Sequence, residues 1–274
     1  MVVDEYVQAR PSAGLSAYVA GYSGYRQAGV APMRHLGLPS PWLTMILTLD
    51  DPLVLLAHPD PRQRPGRYDS LIGGLHLSPA VITHDGWQSG VQVAVWPLGC
   101  RELLGMPAGE LAGVDVDAAD ILGARAVAEI RERMVHAPDW AGRFAILDEA
   151  LRRRITSKTV RPEISYAWNH ALRGMPIRDI AAEVGWSGTH LTDRFRAETG
   201  LRPKEAARVA RFDRARRALR PGVSIAAVAA AHGFADQSHL VREFRALARC
   251  TPSEWLAEQF DFVQALTLPP AQDG

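Results

Sequence analysis

A helical unit is written twice near the C-terminal end of this 274-residue chain, and the repeat restricts what that region can fold into. The first copy, PIRDIAAEVGWSGTHLTDRFRAETGLRP, runs from Pro176 to Pro203; the second, SIAAVAAAHGFADQSHLVREFRALARCTP, from Ser224 to Pro252. Ile177 and Ile225, Ile180 and Val228, Ala181 and Ala229, Gly185 and Gly233, and Trp186 and Phe234 correspond at an offset of 48. One residue is then inserted, and Leu191 and Leu240, Phe195 and Phe244, Arg196 and Arg245, and Pro203 and Pro252 correspond at an offset of 49. Two periods are too few for a solenoid.

Each copy reads as a short helix, a glycine, an aromatic residue, a small polar segment and a second amphipathic helix. This is helix-turn-helix punctuation. Gly185 and Gly233 give the turn access to positive φ, which glycine reaches without a Cβ clash. Pro176 and Ser224 stand where a helix starts, the proline with φ preset and the serine as an N-cap. Leu191 with Phe195, and Leu240 with Phe244, are four apart and form the buried stripe of each second helix.

The opposite face carries Gly188, Thr189, Thr192, Asp193 and Arg196 in the first copy and Gln237, Ser238, His239, Arg242 and Arg245 in the second. In a major groove arginine pairs bidentately with guanine and glutamine with adenine, while Ser and Thr adapt to either. Arg242 is the leading base contact. Arg194, Arg196 and Arg245 are assigned to phosphates, which fix register without reading sequence. The competing reading of each position is a solvated helix surface.

The segments GWSGTHLTDRFRAETGLRP, ARVARFDRARRAL and GFADQSHLVREFRALARCTPSEW resemble the AraC family of bacterial transcription regulators over roughly residues 163–258. The resemblance implies two helix-turn-helix motifs joined by a long helix, with the second helix of each motif in the major groove. It also implies double-stranded DNA as partner, with a small-molecule effector, RNA polymerase and a second copy of the chain as further candidates. The first motif departs from the pattern because Gly188 to Asp193 offer no long basic side chain, which favours readout of shape or thymine methyls. Ala235 stands where a capping serine is usual, leaving Asp236 as the alternative cap.

The joining helix is expected from Glu205 to Leu219 as a spacer between the two recognition helices. It carries Arg208, Arg211, Arg214, Arg216 and Arg217, followed by Arg220, with a solvated face paired to Asp213 and Glu205 as the plainer reading. Residues 161–260 hold 16 Lys or Arg against 11 Asp or Glu, and the rest of the chain 15 against 19. The net charge of +1 therefore conceals a basic C-terminal region joined to an acidic remainder, a footprint of nucleic-acid binding.

The N-terminal part reads as short β runs between turns. Strands are expected over Trp42–Leu49, from Leu53, around Leu71–Leu77, over Val81–His84 and over Val91–Trp96, with His58–Arg67 a loop. In the last of these, Val91, Val93 and Val95 alternate as in a strand with one buried face. Helices follow at about Asp117–Val135 and Trp140–Ile155, the second with an apolar stripe suited to a dimer seam or to packing on its own sheet. Arg152, Arg153, Arg154 and TSKTVRP read as a linker. The expected fold is α+β: a small antiparallel β-barrel or double sheet with helices, cupin-like by resemblance, over residues 1–158, and an all-α DNA-binding domain over 159–262.

Effector contacts are sought among Arg34, His35, Trp42, His76, Trp87 and Trp96, because small-molecule sites combine aromatic walls with a few polar groups. Packing is the competing role for each. A metal-dependent enzyme is disfavoured: His58, His76 and His84 lack HxH pairing and a following carboxylate, and no GxSxG, P-loop or HExxH occurs. Cys100 alone in the N-terminal half also argues against a cysteine-bound metal in a DNA-repair methyl acceptor. No catalytic residue, metal or cofactor is expected. A DNA-binding protein whose N-terminal domain only dimerises or binds another protein stays open. Cys100 and Cys250, with no CxxC, fit a reducing cytosol as buried fillers, and MVVDEYVQARPSAG lacks a secretion signal.

Overall fold

The computed structural model describes residues 2–156 and 159–258. Ten strands come first: β1 (Val3–Ala9), β2 (Val19–Ala28), β3 (Met33–Gly37), β4 (Leu43–Thr48), β5 (Leu53–Ala57), β6 (Gly66–Tyr68), β7 (Ser70–Gly73), β8 (Ala80–His84), β9 (Trp87–Val95) and β10 (Asp115–Val116). They form an antiparallel six-stranded sheet, β1-β2-β9-β4-β7-β10, and a four-stranded sheet, β3-β8-β5-β6. This is the double-sheet form of the expected fold. No closed barrel forms among the described residues, because no strand of one sheet is hydrogen-bonded to a strand of the other.

The two faces of the larger sheet do different work. Leu43, Met45 and Leu47 on β4, and Val91, Val93 and Val95 on β9, turn to a helical layer, while Thr44, Ile46, Gln92 and Ala94 turn to the smaller sheet. Val91–Val95 thus lies in a strand covered on both sides, longer at its start than the alternation indicated. Strands β1, β2 and β3 were not legible as strands, since their polar and glycine-rich sequences show little alternation.

Behind the sheet, α1 (Cys100–Leu104) precedes α2 (Ala118–Leu122) and α3 (Ala124–His136). The single helix expected over 117–135 is broken at Gly123, whose φ of +92° ends one helix before the next begins. Helix α4 (Trp140–Arg152) starts on Asp139, whose carboxylate accepts from the Gly142 amide at 2.8 Å. Its apolar stripe covers its own sheet: Phe144 stacks on Tyr22 with centroids 5.8 Å apart, and Leu147 and Leu151 are buried. The dimer-seam alternative for this stripe is not what the fold uses it for.

The segment read as a linker is partly tethered, since Arg154 donates to the Leu103 and Leu122 carbonyls at 3.0 and 3.2 Å. Residues 157 and 158, at the expected domain boundary, and 259–262, at the expected end of the DNA-binding domain, lie outside the described residues. Helix α5 (Pro162–Leu172) opens on its proline and leads into α6 (Ile177–Glu183), α7 (Gly188–Thr199), α8 (Pro203–Ala218), α9 (Ile225–Ala231), α10 (Gln237–Ala248) and α11 (Pro252–Glu258). Among the described residues no helix is long and apolar enough to cross a membrane.

The buried apolar residues of α5, α6 and α7 (Ile164, Trp168, Ile180, Leu191, Phe195) run without a break into the core under the six-stranded sheet. The second motif has its own core of Phe212, Val228, Phe234, Leu240, Phe244, Leu247 and Trp255. The division falls within α8, after Val209 and before Phe212.

Candidate nucleic-acid interface

Helices α6 and α7, and α9 and α10, reproduce the repeat in three dimensions. Gly185 and Gly233 turn the chain at φ of +70° and +72°. Two residues after Gly185, Ser187 accepts from the His190 amide at 3.2 Å and starts α7. At the matching place Asp236 accepts from the His239 amide at 2.6 Å, so Asp236 and not Ala235 is the cap of α10. The aromatic plugs are held alike: His190 meets Trp186 edge-on at 4.7 Å and His239 meets Phe234 edge-on at 5.3 Å.

The first turns of α7 and α10 project into solvent. Gly188, Thr189, Asp193, Arg194 and Arg196, and Gln237, Ser238, Arg242 and Arg245, are exposed. Two of the expected readers also bond locally. Thr192 donates its hydroxyl to the Gly188 carbonyl at 2.8 Å, and His239, besides packing on Phe234, accepts from the Ala235 amide through Nδ1 at 3.3 Å. Arg196 differs in position from the others, because it lines a cleft with Asp60 and Arg62 of the N-terminal part.

The long helix α8, 16 residues or about 24 Å, begins at Pro203, earlier than expected, because proline suits the first helical position. Its arginines are largely structural. Arg208 pairs with Glu243 of α10 at 2.7 Å, Arg211 lies 4.9 Å over the Phe234 ring, and Arg216 and Arg217 both reach Asp213, at 2.6 and 2.7 Å. Glu205 instead accepts from the Arg202 amide at 2.8 Å at the start of the helix. The expected pairing to Asp213 is found and that to Glu205 is not, while Arg208 and Arg211 tie α8 to its neighbours.

Between the two sheets lies a cavity of about 130 Å³. Its walls are largely apolar (Ile46, Leu53, Leu55, Leu71, Ile82), with Ser23, Tyr25, Thr44, Gln92 and Asp115 among the polar members. His35, Trp42 and His76 of the expected effector residues line it; Arg34, Trp87 and Trp96 do not. Trp87 is 56% exposed in a separate cleft with Arg67 and His84, and Trp96 meets Trp42 edge-on at 6.1 Å in a third. Burial, with His84 nearby, drives the His35 pKa down to about 3, and burial lowers His76 as well, so the cavity presents neutral imidazoles at pH 7.

One wall residue comes from the other end of the chain. Arg216, on α8, reaches the cavity, although its place in the arginine-rich run reads as helix surface. The missed signal was the unbroken Ala–Arg–Arg run, in which a helix turn aims two arginines at whatever packs against it.

The three histidines weighed as metal ligands are used separately. His58 Nδ1 pairs with Asp115 Oδ2 at 2.7 Å, His76 Nδ1 with the Ser78 carbonyl at 2.5 Å, and His84 Nδ1 accepts from the Gly86 amide at 3.1 Å. Among the described residues no group of three or more His, Cys, Asp or Glu is placed to hold a metal ion. Cys100 is buried and its thiol pKa is raised by that burial, whereas Cys250 is only half-buried.

A pair of capped helix-turn-helix units on a shared helix defines a double helix-turn-helix module, a DNA-binding architecture. Residues 180–258 match the family model described as a helix-turn-helix domain, and the C-terminal region is an AraC-type helix-turn-helix domain. The chain is similar in fold to ToxT from Vibrio cholerae, at 13% identity over 88% of this chain and 98% of that one, with a TM-score of 0.49. It is also similar to ToxT of V. cholerae in an unsaturated fatty acid complex (12% identity, 86% and 94% covered, TM-score 0.48). A third is an AraC-type regulator from Chromobacterium violaceum (26% identity, 37% and 95% covered, TM-score 0.33). No curated protein matches the chain significantly.

Proposed function

We propose that this protein is a sequence-specific, DNA-binding transcriptional regulator of the cytoplasm and not an enzyme, with residues 1–158 sensing a small molecule and 159–262 binding DNA. The observation that carries the reading is the repeated geometry of the two motifs, each presenting the exposed first turn of its second helix from a capped, plugged scaffold. Gly188, Thr189, Thr192 and Asp193 are the proposed readers of the first motif, and Gln237, Ser238, His239 and Arg242 those of the second, with Arg194, Arg196 and Arg245 on phosphates. The intersheet cavity supports the sensing half of the proposal: an occupant would touch both the sheets and Arg216 of α8. A ligand acts on DNA affinity only through such differential contacts. RNA polymerase and a second copy of the chain are the proposed protein partners.

The test is selection of full-length protein against fragmented genomic DNA at near-physiological salt, where phosphate attraction is screened. Recovery of one asymmetric site spanning two adjacent major grooves is expected; no enrichment overturns the proposal. On that site Arg242→Ala is expected to cost about 1–3 kcal/mol at one base pair and relax specificity there. Arg196→Ala is expected to weaken all sequences alike and flatten the salt dependence. Equal losses on every sequence for both variants would reject the assignment of Arg242 as a base reader.

A further inference from the structure

We infer that the cleft between the N-terminal sheets and helices α5 and α8 is a second ligand site, distinct from the intersheet cavity, and takes a small aromatic carboxylate. The cleft is about 640 Å³, and Trp42, Trp96, Trp168, Arg173, Arg214 and Arg217 form its walls. Of these only Trp42 also faces the intersheet cavity.

Charge decides the sign of the occupant. The lining holds three arginines against one acid, Asp213, whose two oxygens already take Arg216 at 2.6 Å and Arg217 at 2.7 Å. Arg214 gives one N–H to the Leu172 carbonyl at 3.2 Å, and the guanidinium has further donors to offer. Arg173 is exposed on the same rim. Burial lowers the Arg214 pKa, Asp213 offsets part of that, and Arg211 adds to it; burial likewise lowers Arg217. A carboxylate accepts bidentate, charge-assisted hydrogen bonds from guanidinium, and Arg173 and Arg214 stand exposed on the rim to donate them.

Shape decides the rest of the molecule. Trp42 and Trp96 stand edge to face at 6.1 Å, and the Arg217 guanidinium carbon lies over the Trp42 ring at 4.6 Å. Indole faces and edges favour a planar aromatic ring over a flexible chain. An occupant would bridge Trp42 and Trp96 of the N-terminal part to arginines of α5 and α8, so it would fasten the sensor to the DNA-binding half from outside the intersheet cavity.

The experiment is a calorimetric and tryptophan-fluorescence titration of the full chain with 1-naphthoate and, separately, with its neutral amide. Saturable naphthoate binding is expected, with the amide about tenfold weaker or more, because the amide lacks the charge. Arg214→Ala and Arg173→Ala, each checked for unchanged circular dichroism, are expected to weaken naphthoate by a similar factor and to leave DNA affinity in the absence of naphthoate unchanged. Absence of naphthoate binding, equal affinity for the amide, or full binding in both variants overturns the site. A uniform loss of DNA affinity in Arg214→Ala would make that arginine a phosphate contact and overturn it too. Because the readout is ligand binding without DNA, its failure is separable from failure of the regulator proposal.

Discussion

Arg249 shows what a repeat costs when its two copies drift apart. The C-cap of α7 is Gly200 at φ +91°; 49 residues later the C-cap of α10 is Arg249, at φ +57° and, among the described residues, the one non-glycine with positive φ. A side chain there brings Cβ against the carbonyl, at about 1–2 kcal/mol. Arg249→Gly is expected to raise stability by about 1 kcal/mol, read as a higher denaturation midpoint; an unchanged or lower midpoint would show the strain to be relieved locally. His35 supplies a pH dependence. Its pKa, ordinarily 6.5, is lowered to about 3 in the folded protein. As pH falls below 6.5 the unfolded chain takes the proton first, so stability present above 6.5 is lost progressively down toward 3. The loss is at most about 1.4 kcal/mol per pH unit for one such group. His35→Asn is expected to flatten this slope between pH 7 and 5, and an identical slope in the variant would place the dependence on other groups. The repeat placed Gly185 and Gly233 at the turns and Asp236 at a cap, but not His190 and His239 against Trp186 and Phe234, because a histidine four or five residues after an aromatic looks the same on a surface.

At the scale of elements, α7 is held from behind. Arg101 on α1 donates to both oxygens of Glu198 near the C-terminal end of α7, Nε to Oε1 at 2.7 Å and Nη2 to Oε2 at 2.8 Å. The short 3-10 turn Ala108–Leu111 packs on the same end so closely that a Cβ at Gly109 would meet the Ala197 carbonyl. The pair is bidentate and Glu198 is buried, so a double-mutant cycle of Arg101→Ala and Glu198→Ala is expected to give a coupling of about 1–2 kcal/mol. A coupling near zero would mean that the close packing around Gly109 alone fixes α7. None of this was legible from sequence, since Arg101 and Glu198 lie 97 residues apart and each passes for a surface residue on its own helix. The same holds for α8, whose arginines could be counted from the sequence while their partners Glu243, Phe234 and Trp42 could not be named.

Over the whole molecule, the cores divide unevenly. The first motif is buried together with the N-terminal sheet and the second is built around Phe244 and Trp255. Phe244→Ala removes a fully buried ring, a loss of about 3–5 kcal/mol. Hydrogen exchange in that variant is expected to quicken across α9–α11 while α5–α7 stay protected; equal acceleration in both would show one cooperative unit. The sequence by itself determined the paired motifs, their turns, their caps and the helix between them, because those depend on residues within a few positions of one another, and local chemistry repeats with the letters. It also indicated a β-rich N-terminal part. Only tertiary structure decided that the sheets stack without closing a barrel, that α4 covers its own sheet, and that Arg216 enters the intersheet cavity while Arg217 lies on Trp42. Those contacts join residues from tens to more than a hundred positions apart, and which face of an amphipathic element meets which partner is settled by packing the whole chain at once.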